Sequence, residues 1–358
     1  MVTRVPVALG ERSYEIHIGA GILSETAAAL QPLKLARRCA IITDDRVGPL
    51  YASRLQEILR GGGYEAACCV VPAGEPSKSL EQAARLYDQL LDAKLDRRSF
   101  IVALGGGVVG DLAGYVAATF LRGVPFVQVP TTLLAQVDSS VGGKVGVNLP
   151  RGKNLIGAFY QPRVVVVDTK TLESLPLREY RAGLAEVIKY GIIYDSKLFE
   201  QLEAQAERVF AKDLALMEKI IARCCEIKAE VVSMDEREDG LRAILNYGHT
   251  IGHAIEAVTR YGEYLHGEAI AVGMVRAARL SQRRGHLGKD AAVRIQKILE
   301  RYGFDLTLRI GDLDSLLAAM KLDKKVQAGK IRFVLSKRIG EVLVTDEVTE
   351  ADVREALK

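Results

Sequence analysis

The sequence predicts an α/β fold followed by an all-α fold, with a Rossmann-like parallel-sheet domain over residues 1–175 and a mostly helical domain over residues 176–358. Three observations predict this division. The length of 358 residues suits two domains. Short β-branched apolar runs alternate with helical segments up to about Pro176. Beyond it, long segments rich in Ala, Glu, Leu and Lys follow one another with few strand signals.

The first half begins with an alternating strand and a turn, and continues with apolar runs separated by helical stretches at Tyr51–Arg60 and Leu80–Leu91. The apolar runs are Cys39–Thr43, Ala67–Val71, Phe100–Leu104, Phe126–Val129 and Val164–Val167. Because they are apolar throughout, these runs predict the strands of a parallel sheet whose two faces are covered by helices.

The second half is predicted to be mostly helical. Strand signals return only at Ile331–Leu335 and Glu341–Val344. The predicted helices are Glu179–Ile193, Leu198–Phe210, Leu214–Val232, Thr250–Thr259, Glu268–Arg284 and Ala291–Tyr302.

Composition excludes several classes of protein. Hydrophobic residues make up 49% and charged residues 26%, which is typical of globular domains and excludes a disordered or collagen-like chain. The net charge of +4 arises from 49 basic and 45 acidic residues without a dense basic block, so we expect no nucleic-acid partner. No apolar run reaches the roughly 18 residues of a membrane span, so we expect no membrane partner.

The termini and cysteines favour a cytoplasmic location. The N-terminal segment lacks the continuous apolar stretch and cleavage site of a signal peptide. Five cysteines, an odd number without a C-x-x-C pair, indicate reduced thiols.

A glycine-rich turn follows the run Phe100–Leu104. Gly105, Gly107 and Gly110 match G-x-G-x-x-G between a strand and a helix. Glycines there let the backbone approach a pyrophosphate, and the helix N-terminus offers N–H groups. The acidic residue expected about 20 positions later is missing, so a simple Rossmann dehydrogenase is a poor match. The pattern alone leaves open a turn without a ligand.

Two further turns add to this signal. The stretch from Gly74 to Lys78 follows one strand, and Thr131 with Thr132 follows another. The carboxyl ends of parallel strands meet at one edge of a sheet, so the three turns together predict a nucleotide site. Asp44, at the end of an earlier strand, could bind a ribose or simply cap a helix, and both readings stay open.

Three of the five histidines lie close together in the sequence: His249, His253 and His266. His249 and His253 are four residues apart and share one face of a predicted helix. Imidazoles grouped in this way suit a divalent transition metal. The alternative is a pair of helix histidines packed near a domain interface. The spacing lacks the Glu of H-E-x-x-H, so a metalloprotease is not indicated.

Glu186 is the candidate for a carboxylate ligand. It lies in the middle of a predicted helix among apolar neighbours, with Lys189 on the same face. A buried carboxylate is costly unless it is paired or bound to a metal. The alternative is a Glu–Lys pair on the surface. Two histidines and one carboxylate would leave metal positions open for substrate oxygens.

Seven longer motifs occur in this order: GGGVVGDLAG, VPTTLLAQVDSSVGGKVGVN, GKNLIGAFYQP, AGLAEVIKYG, DEREDGLRAILNYGHTIGHAIE, HGEAIAVGM and LDKK. Together they resemble the 3-dehydroquinate synthase family, and the resemblance runs from Thr43 to about Gly340. That family is similar in fold to iron-type and glycerol dehydrogenases and has other sugar phosphate cyclases among its relatives.

The resemblance implies an N-terminal NAD-binding domain and a helical domain in which Glu186, His249 and His266 hold zinc or cobalt. It also implies a homodimer. The implied NAD contacts are Asp44, Glu75, Pro76, Ser77, Lys78, Gly106, Gly107, Val108, Asp111, Thr131, Thr132, Lys153, Thr171, Leu172, Glu173 and Ser174. In one departure from the family pattern, Arg46 stands where an Asn is expected near the cofactor.

The resemblance also implies a sugar-phosphate substrate, with Glu238 and His253 at proton-transferring positions. The implied substrate contacts are Arg122, Asp138, Lys144, Asn154, Lys189, Lys228, Arg242, Asn246, His253 and one of the pair Lys324 and Lys325. Within the combined set we expect the catalytic residues to be His253, Glu238, Lys144, Asn154, Lys189 and Arg122. For Glu238, which lies among other acidic residues, a solvated acidic turn is the alternative.

The implied substrate is 3-deoxy-D-arabino-heptulosonate 7-phosphate, whose carboxylate and phosphate explain so many cations in one set. The implied reaction oxidises C5 with NAD, eliminates phosphate, returns the hydride, opens the ring and closes a carbocycle by an aldol step. The competing hypotheses are a metal-dependent polyol dehydrogenase, a cyclase for another sugar phosphate, and a non-catalytic regulator.

Overall fold

The computed structural model describes residues 2–238, 240–259, 262–322, 326–327 and 330–357. It divides into two compact units, one of Met1–Leu175 with Leu214–Ser233 and the other of Pro176–Asp213 with Met234–Lys358. The segment Leu214–Ser233 differs from the sequence-based division, which placed it in the helical domain. It groups with the α/β unit because its side chains bond there, including Cys225, whose Sγ lies 3.3 Å from the carbonyl oxygen of Gln136.

The first unit contains a twisted parallel sheet, as predicted. Within the described residues, seven strands follow the order β1-β2-β9-β6-β5-β3-β4, and all neighbours are parallel except β1 and β2. The strands of this unit are β1 (Thr3–Val7), β2 (Tyr14–Gly19), β3 (Arg38–Asp44), β4 (Glu65–Val71), β5 (Phe100–Gly105), β6 (Phe126–Pro130), β7 (Lys144–Leu149), β8 (Gly152–Phe159) and β9 (Val164–Asp168).

Helices cover both faces of this sheet. Along β5, Phe100 and Val102 join the core under α1 and α2, whereas Ile101 and Ala103 join the core under α3 and α4. The α-helices of both units are α1 (Thr26–Leu30), α2 (Gly48–Gly61), α3 (Leu80–Asp92), α4 (Gly107–Thr119), α5 (Leu177–Ile193), α6 (Ser196–Ala204), α7 (Ala206–Phe210), α8 (Leu214–Met234), α9 (His249–Val258), α10 (His266–Arg283), α11 (Lys289–Arg301), α12 (Leu313–Leu322) and α13 (Glu350–Leu357).

Several elements differ from the sequence-based prediction. The antiparallel hairpin of β7 and β8 was not predicted, and neither were α12 and α13. The predicted helix Leu198–Phe210 is two helices, because Gln205 leaves the helical region with φ −117° and ψ 25°. Thr131 and Thr132 lead into a short helical run that includes a π-helical turn, Ala135–Ser139.

The second unit is mostly helical, as predicted, and ends in short strands. The two predicted strand runs pair as β12 (Phe333–Arg338) and β13 (Glu341–Thr345), preceded by a short pair, β10 (Val326–Gln327) and β11 (Lys330–Ile331). No helix in the described part of the chain has the length and hydropathy needed to cross a bilayer. The five cysteines form no disulfide.

Glycines let three helices of this unit approach closely. A Cβ at Gly273 of α10 would lie 2.0 Å from the carbonyl oxygen of Gly248, just before α9. A Cβ at Gly267 would lie 1.9 Å from the carbonyl oxygen of Ala182 in α5. Distances this short exclude any side chain, so α10 contacts both neighbours through its backbone.

Replacing Gly273 with Ala should therefore destabilise the protein. Overpacking of this kind costs about 1–3 kcal/mol or more, because backbone must shift to admit the methyl group. The measurement is the urea-induced unfolding of both proteins. Gly61→Ala is the matched control, since Gly61 is the last residue of α2 and a Cβ there meets nothing within 4 Å. Equal unfolding midpoints for Gly273→Ala and the wild type would contradict the close approach.

Candidate active site

A fully buried carboxylate lies at the centre of the second unit. The side chain of Glu186, on α5, is 0% exposed, and that of Lys189, one turn later, is 1% exposed. The two form an ion pair between Lys189 Nζ and Glu186 Oε2. The pair therefore differs from the surface Glu–Lys pair considered as the alternative. A charge at this depth requires charged or metal partners.

Two histidines face the other oxygen of the same carboxylate. His249 is the first residue of α9, and its Nε2 lies 3.4 Å from Glu186 Oε1. His266 is the first residue of α10, and its Nε2 lies 3.5 Å from that oxygen. These are the three residues that the family resemblance implied as metal ligands, and the fold brings them together from three helices.

The outer nitrogen of each imidazole is also held. His249 Nδ1 lies 3.1 Å from the carbonyl oxygen of Tyr247, and His266 Nδ1 lies 3.1 Å from Oε2 of Glu256. Glu256, on α9, is only 4% exposed. These contacts turn both Nε2 atoms towards Glu186, which is the usual way in which neighbouring groups orient histidine ligands.

Sequence reasoning missed Glu256. The signal was present, because Glu256 lies three residues after His253 among apolar residues of a predicted helix, as Glu186 does on its own helix.

Burial lowers the pKa of His266, but the hydrogen bonds and charges of Glu186 and Glu256 outweigh burial and raise this pKa to about 10.

The geometry suits a divalent metal ion. When a metal ion has tetrahedral geometry and bonds of about 2.1 Å to its ligand atoms, those ligand atoms lie about 3.4 Å from one another. The distances of 3.4 and 3.5 Å from Glu186 Oε1 to the two Nε2 atoms match this spacing.

His253 lies beside the cluster, with its ring centroid 5.3 Å from that of His249 and 5.9 Å from that of His266. His253, Glu256 and His266 form a second, overlapping group.

A second group of predicted residues lies in the segment of the chain that follows α8 and precedes α9. Glu238 has a φ of +67°, a left-handed conformation that is uncommon for this residue type, and its Oε1 accepts a 2.6 Å hydrogen bond from Asn246 Nδ2. It is therefore a half-buried, bonded carboxylate, unlike the solvated turn considered as its alternative. Arg242 is buried and donates to the carbonyl oxygen of Glu236.

In the first unit, the predicted nucleotide residues lie at or after the carboxyl ends of β3, β4, β5, β6 and β9, except for Lys153, which lies in β8. Gly106 precedes α4, where a Cβ would lie 3.0 Å from Thr132, and a Cβ at Gly107 would lie 3.1 Å from Ser139 Oγ. Side chains at these two positions would crowd Thr132 and Ser139, so the N-terminus of this 13-residue helix is half-buried bare backbone, which suits a pyrophosphate. Val108 follows in the same turn.

Charged residues from two turns meet beside this helix. Lys78 Nζ, after the turn Glu75–Ser77 that contains Pro76, pairs with Asp111 in the first turns of α4. Burial raises the pKa of Asp111, and the positive charge of Lys78 opposes this shift. Lys153 Nζ lies 4.0 Å from Glu75 Oε1. The pairing places these four predicted residues close together.

Asp44, Thr171 and Ser174, which are predicted NAD contacts, make hydrogen bonds to other residues of the first unit. Asp44 Oδ1 accepts from the backbone N–H groups of Arg46 and Val47 at 2.9 and 2.8 Å, in the turn that precedes α2. Val47, not Asp44, is the N-cap of α2, and no side chain caps that helix, so the capping alternative does not describe Asp44. Thr171 Oγ1 accepts from the buried side chain of Gln136, a residue that the sequence reasoning missed. Nearby, Ser174 Oγ lies 2.6 Å from Tyr51 Oη. Leu172 is buried and Glu173 is exposed in the same segment, and Thr131 is buried.

Asp138 and Lys228 form another predicted pair. Lys228 Nζ, on α8, donates to the carboxylate and the carbonyl oxygen of Asp138, both at 2.6 Å. Lys228 is 5% exposed. The pair brings a buried cation to the region that follows β6.

Three other predicted residues have exposed side chains. Arg122 is exposed in a turn where Leu121, Arg122 and Gly123 all have positive φ. Lys144, the first residue of β7, is exposed. Asn154 is exposed in β8 with a φ of +55°. Lys324 and Lys325 lie outside the described residues.

Two solved cyclases share this fold. The chain is 28% identical to 2-epi-5-epi-valiolone synthase from Streptomyces hygroscopicus, solved with NAD⁺ and Zn²⁺, with a TM-score of 0.90 over 98% of this chain and 97% of that one. It is 28% identical to 2-deoxy-scyllo-inosose synthase, solved with carbaglucose-6-phosphate, NAD⁺ and Co²⁺, with a TM-score of 0.89 over 100% and 99% of the two chains. The fold is thus that of the sugar phosphate cyclases.

Sequence comparison specifies the family. Residues 68–182 match the model for the 3-dehydroquinate synthase N-terminal region and residues 183–326 the model for its C-terminal region. The chain is 53% identical to 3-dehydroquinate synthase from Desulforamulus reducens, with 98% of each chain covered, and 49% identical to that of a Synechococcus species, with 100% and 99% covered. The chain belongs to the 3-dehydroquinate synthase family.

The contact of Glu256 with His266 generates a prediction about metal affinity. Glu256→Gln preserves the size of the side chain but removes the negative charge beside Nδ1. We expect Zn²⁺ and Co²⁺ to bind about 10–100-fold more weakly, the usual effect of losing a group that orients a ligand. Competition with a chromophoric chelator at fixed pH measures this affinity.

Two further variants bracket that measurement. Glu186→Gln removes a candidate ligand and should weaken binding more than Glu256→Gln does. Glu226→Gln, on the exposed face of α8, should bind like the wild type. Wild-type affinity in Glu256→Gln would contradict the orienting contact.

Proposed function

We propose that this chain is a 3-dehydroquinate synthase that converts 3-deoxy-D-arabino-heptulosonate 7-phosphate into 3-dehydroquinate and phosphate. The observation that carries the proposal is the buried cluster of Glu186, His249 and His266 beside Lys189, in a chain of this family. A site that holds a metal next to a buried lysine suits a substrate with hydroxyl and anionic groups.

The two cofactors have distinct binding residues. Glu186 oxygen and the Nε2 atoms of His249 and His266 would hold the metal, and the backbone around Gly106 and Gly107 would hold the NAD pyrophosphate. When bound, NAD would accept a hydride from C5 of the substrate and return it, and the metal would polarise the oxygen at that carbon. Because the hydride is returned, NAD is not consumed.

Buried cations support a polyanionic substrate. Lys189, Lys228 and Arg242 are each no more than 5% exposed. Lys189 pairs with Glu186 and Lys228 with Asp138, and we propose that the anionic groups of the substrate share these cations when it is bound. The substrate brings a carboxylate and a phosphate, and a neutral polyol brings neither. This difference favours a cyclase over a polyol dehydrogenase. Exposed Arg122 and Lys144 belong to the same proposed substrate set, as do Asn154 and Asp138.

His253 is the proposed proton shuttle. Its ring lies beside both histidines of the metal cluster without sharing their contact with Glu186 Oε1. We propose that a ring nitrogen of His253 takes the proton of the C5 hydroxyl, because an imidazole exchanges protons near neutral pH. Glu238, whose position is set by its bond to Asn246, is proposed to assist proton transfer.

The homodimer and the cytoplasmic location that the family resemblance implies form part of the same proposal. Light scattering coupled to gel filtration would measure the mass of the assembly in solution.

Phosphate release from 3-deoxy-D-arabino-heptulosonate 7-phosphate tests the proposed function. The assay uses the purified protein with catalytic NAD, with and without prior removal of metal by a chelator, and follows NADH by absorbance. We expect stoichiometric phosphate, dependence on metal and no net NADH. Accumulating NADH without phosphate would instead indicate a dehydrogenase, and inactivity with metal and NAD bound would indicate a different sugar phosphate.

His253→Asn tests the proton shuttle. We expect kcat to fall by about 10²–10⁴, the usual contribution of a general acid–base group, while metal and NAD affinities stay near those of the wild type. Steady-state phosphate release and metal titration measure the two effects. An equal loss of metal affinity would instead make His253 a ligand of the metal.

A further inference from the structure

Three segments of the first unit meet at Asn148, a residue of β7 that the sequence reasoning did not single out. Its backbone N–H donates to the carbonyl oxygen of Lys78 at 2.8 Å. Its side-chain Nδ2 donates to Glu75 Oε1 at 2.7 Å, and its Oδ1 accepts from the backbone N–H of Asn154 at 2.9 Å. One side chain thus links the turn after β4 to the hairpin of β7 and β8.

The polarity of these bonds requires an amide at position 148. The contact with Glu75 needs a donor, and the contact with Asn154 needs an acceptor, and Asn offers both on one short side chain. An Asp in the same place would keep the acceptor but would turn a second carboxylate oxygen towards Glu75. Two carboxylates at hydrogen-bond distance repel each other.

Asn154 depends on this contact for its conformation. Its φ of +55° lies in the left-handed region, which Asn adopts more readily than most residues but still at a cost. The bond from its N–H to Asn148 Oδ1 helps to hold that conformation, which aims the neighbouring side chains. Lys153, the preceding residue, lies 4.0 Å from the same Glu75 oxygen that Asn148 contacts.

The contacts extend from Asn148 to the glycine-rich turn. Lys78, whose carbonyl oxygen accepts from Asn148, is 4% exposed and pairs through Nζ with Asp111 of α4. Asn148 therefore contacts residues of the proposed NAD site on one side and a residue of the proposed substrate site on the other.

We propose that Asn148 is a positioning residue that holds the Glu75–Lys78 turn and the first residues of β8, Lys153 and Asn154, in one arrangement, so that NAD and substrate residues are aligned together. The proposal rests on the proposed function for the roles of these two segments. Asn148 itself touches neither ligand in this scheme; it acts through Glu75 and Asn154.

Asn148→Asp tests the proposal without a change in size. We expect NAD to bind about tenfold or more weakly and KM for the sugar phosphate to rise by a similar factor, because a bond to a charged group is replaced by repulsion. Calorimetry measures NAD affinity, and phosphate release measures KM. Wild-type values for both quantities would overturn the proposal.

A double variant that exchanges the donor and acceptor between positions 148 and 75 tests whether NAD binding can be restored. In the double variant Asn148→Asp with Glu75→Gln, the Gln amide can donate to the Asp carboxylate, which restores the bond with its direction reversed. In a double-mutant cycle, we expect the two changes together to weaken NAD binding less than the product of the single effects. Strictly multiplicative effects would mean that Asn148 does not act through Glu75.

Gln56→Glu is the matched control. It makes the same change of NH₂ to oxygen in the same unit, where Gln56 Nε2 donates to the carbonyl oxygen of Ala66 at 3.0 Å. It should lower the unfolding midpoint without changing NAD affinity, so equal losses of NAD affinity in Gln56→Glu and Asn148→Asp would assign the effect to stability alone and overturn the proposal. Should Asn148→Asp not fold, Asn148→Ser takes its place. It shortens the side chain and removes the amide bonds to Glu75 and Asn154 without adding a charge, so we expect weaker NAD binding than in the wild type, and wild-type NAD affinity and KM would overturn the proposal.

The proposed function and the role of Asn148 can fail separately. A wild-type protein that binds NAD but releases no phosphate would contradict the proposed function, and the NAD affinities would still decide the role of Asn148. A wild-type protein that releases phosphate, with an unchanged Asn148→Asp variant, would retain the function and overturn the positioning role.

Discussion

The second unit is organised around one electrostatic constraint, a carboxylate with no exposed surface. Glu186 must have positive or metal partners, because removing a charge from water is costly. Lys189 supplies one partner from the same helix, and the Nε2 atoms of His249 and His266 approach the other oxygen from two further helices. Those approaches need helices whose backbones touch, which Gly267 and Gly273 allow. The close packing and the proposed chemistry thus have the same cause.

Unlike charges are paired in the first unit as well. Lys78 with Asp111, and Lys228 with Asp138, combine a buried ammonium with a carboxylate near the carboxyl ends of the strands. Such pairs add little net stability, but leaving either partner alone would be costly, so they hold their side chains in defined positions. Asn148 adds hydrogen bonds that link Glu75, in the turn that leads to Lys78, to Asn154 of β8. Because these side chains are already ordered before ligands bind, ordering them costs less free energy on binding.

Whether a strand could be predicted from the sequence depends on how much of it is buried. The strands β3, β5, β6 and β9 were predicted because both of their faces are buried, which makes their sequences apolar throughout. The hairpin of β7 and β8 was missed because β8 has no buried residue and because Gly146 in β7 and Gly157 in β8 interrupt the apolar patterns of the two strands. These glycines pair across the hairpin, where a Cβ on either would lie within 2.6 Å of the opposite backbone. The need for glycine at both positions comes from the pairing of the two strands, and the sequence of either strand alone does not show it.

The sequence by itself determined the order of the buried parallel strands and of the longer helices, the glycine-rich turn and, through long family motifs, the identity of the three residues around the proposed metal. It did so because apolar periodicity and contiguous motifs are local properties of the chain. Only the tertiary structure decided that Leu214–Ser233 joins the α/β unit, that Glu186 and Lys189 are buried, and that Glu256 and Asn148 hold other site residues in place. Each of those facts depends on contacts between helices, strands and turns that are far apart in the sequence, and their distances are set by how the whole core packs.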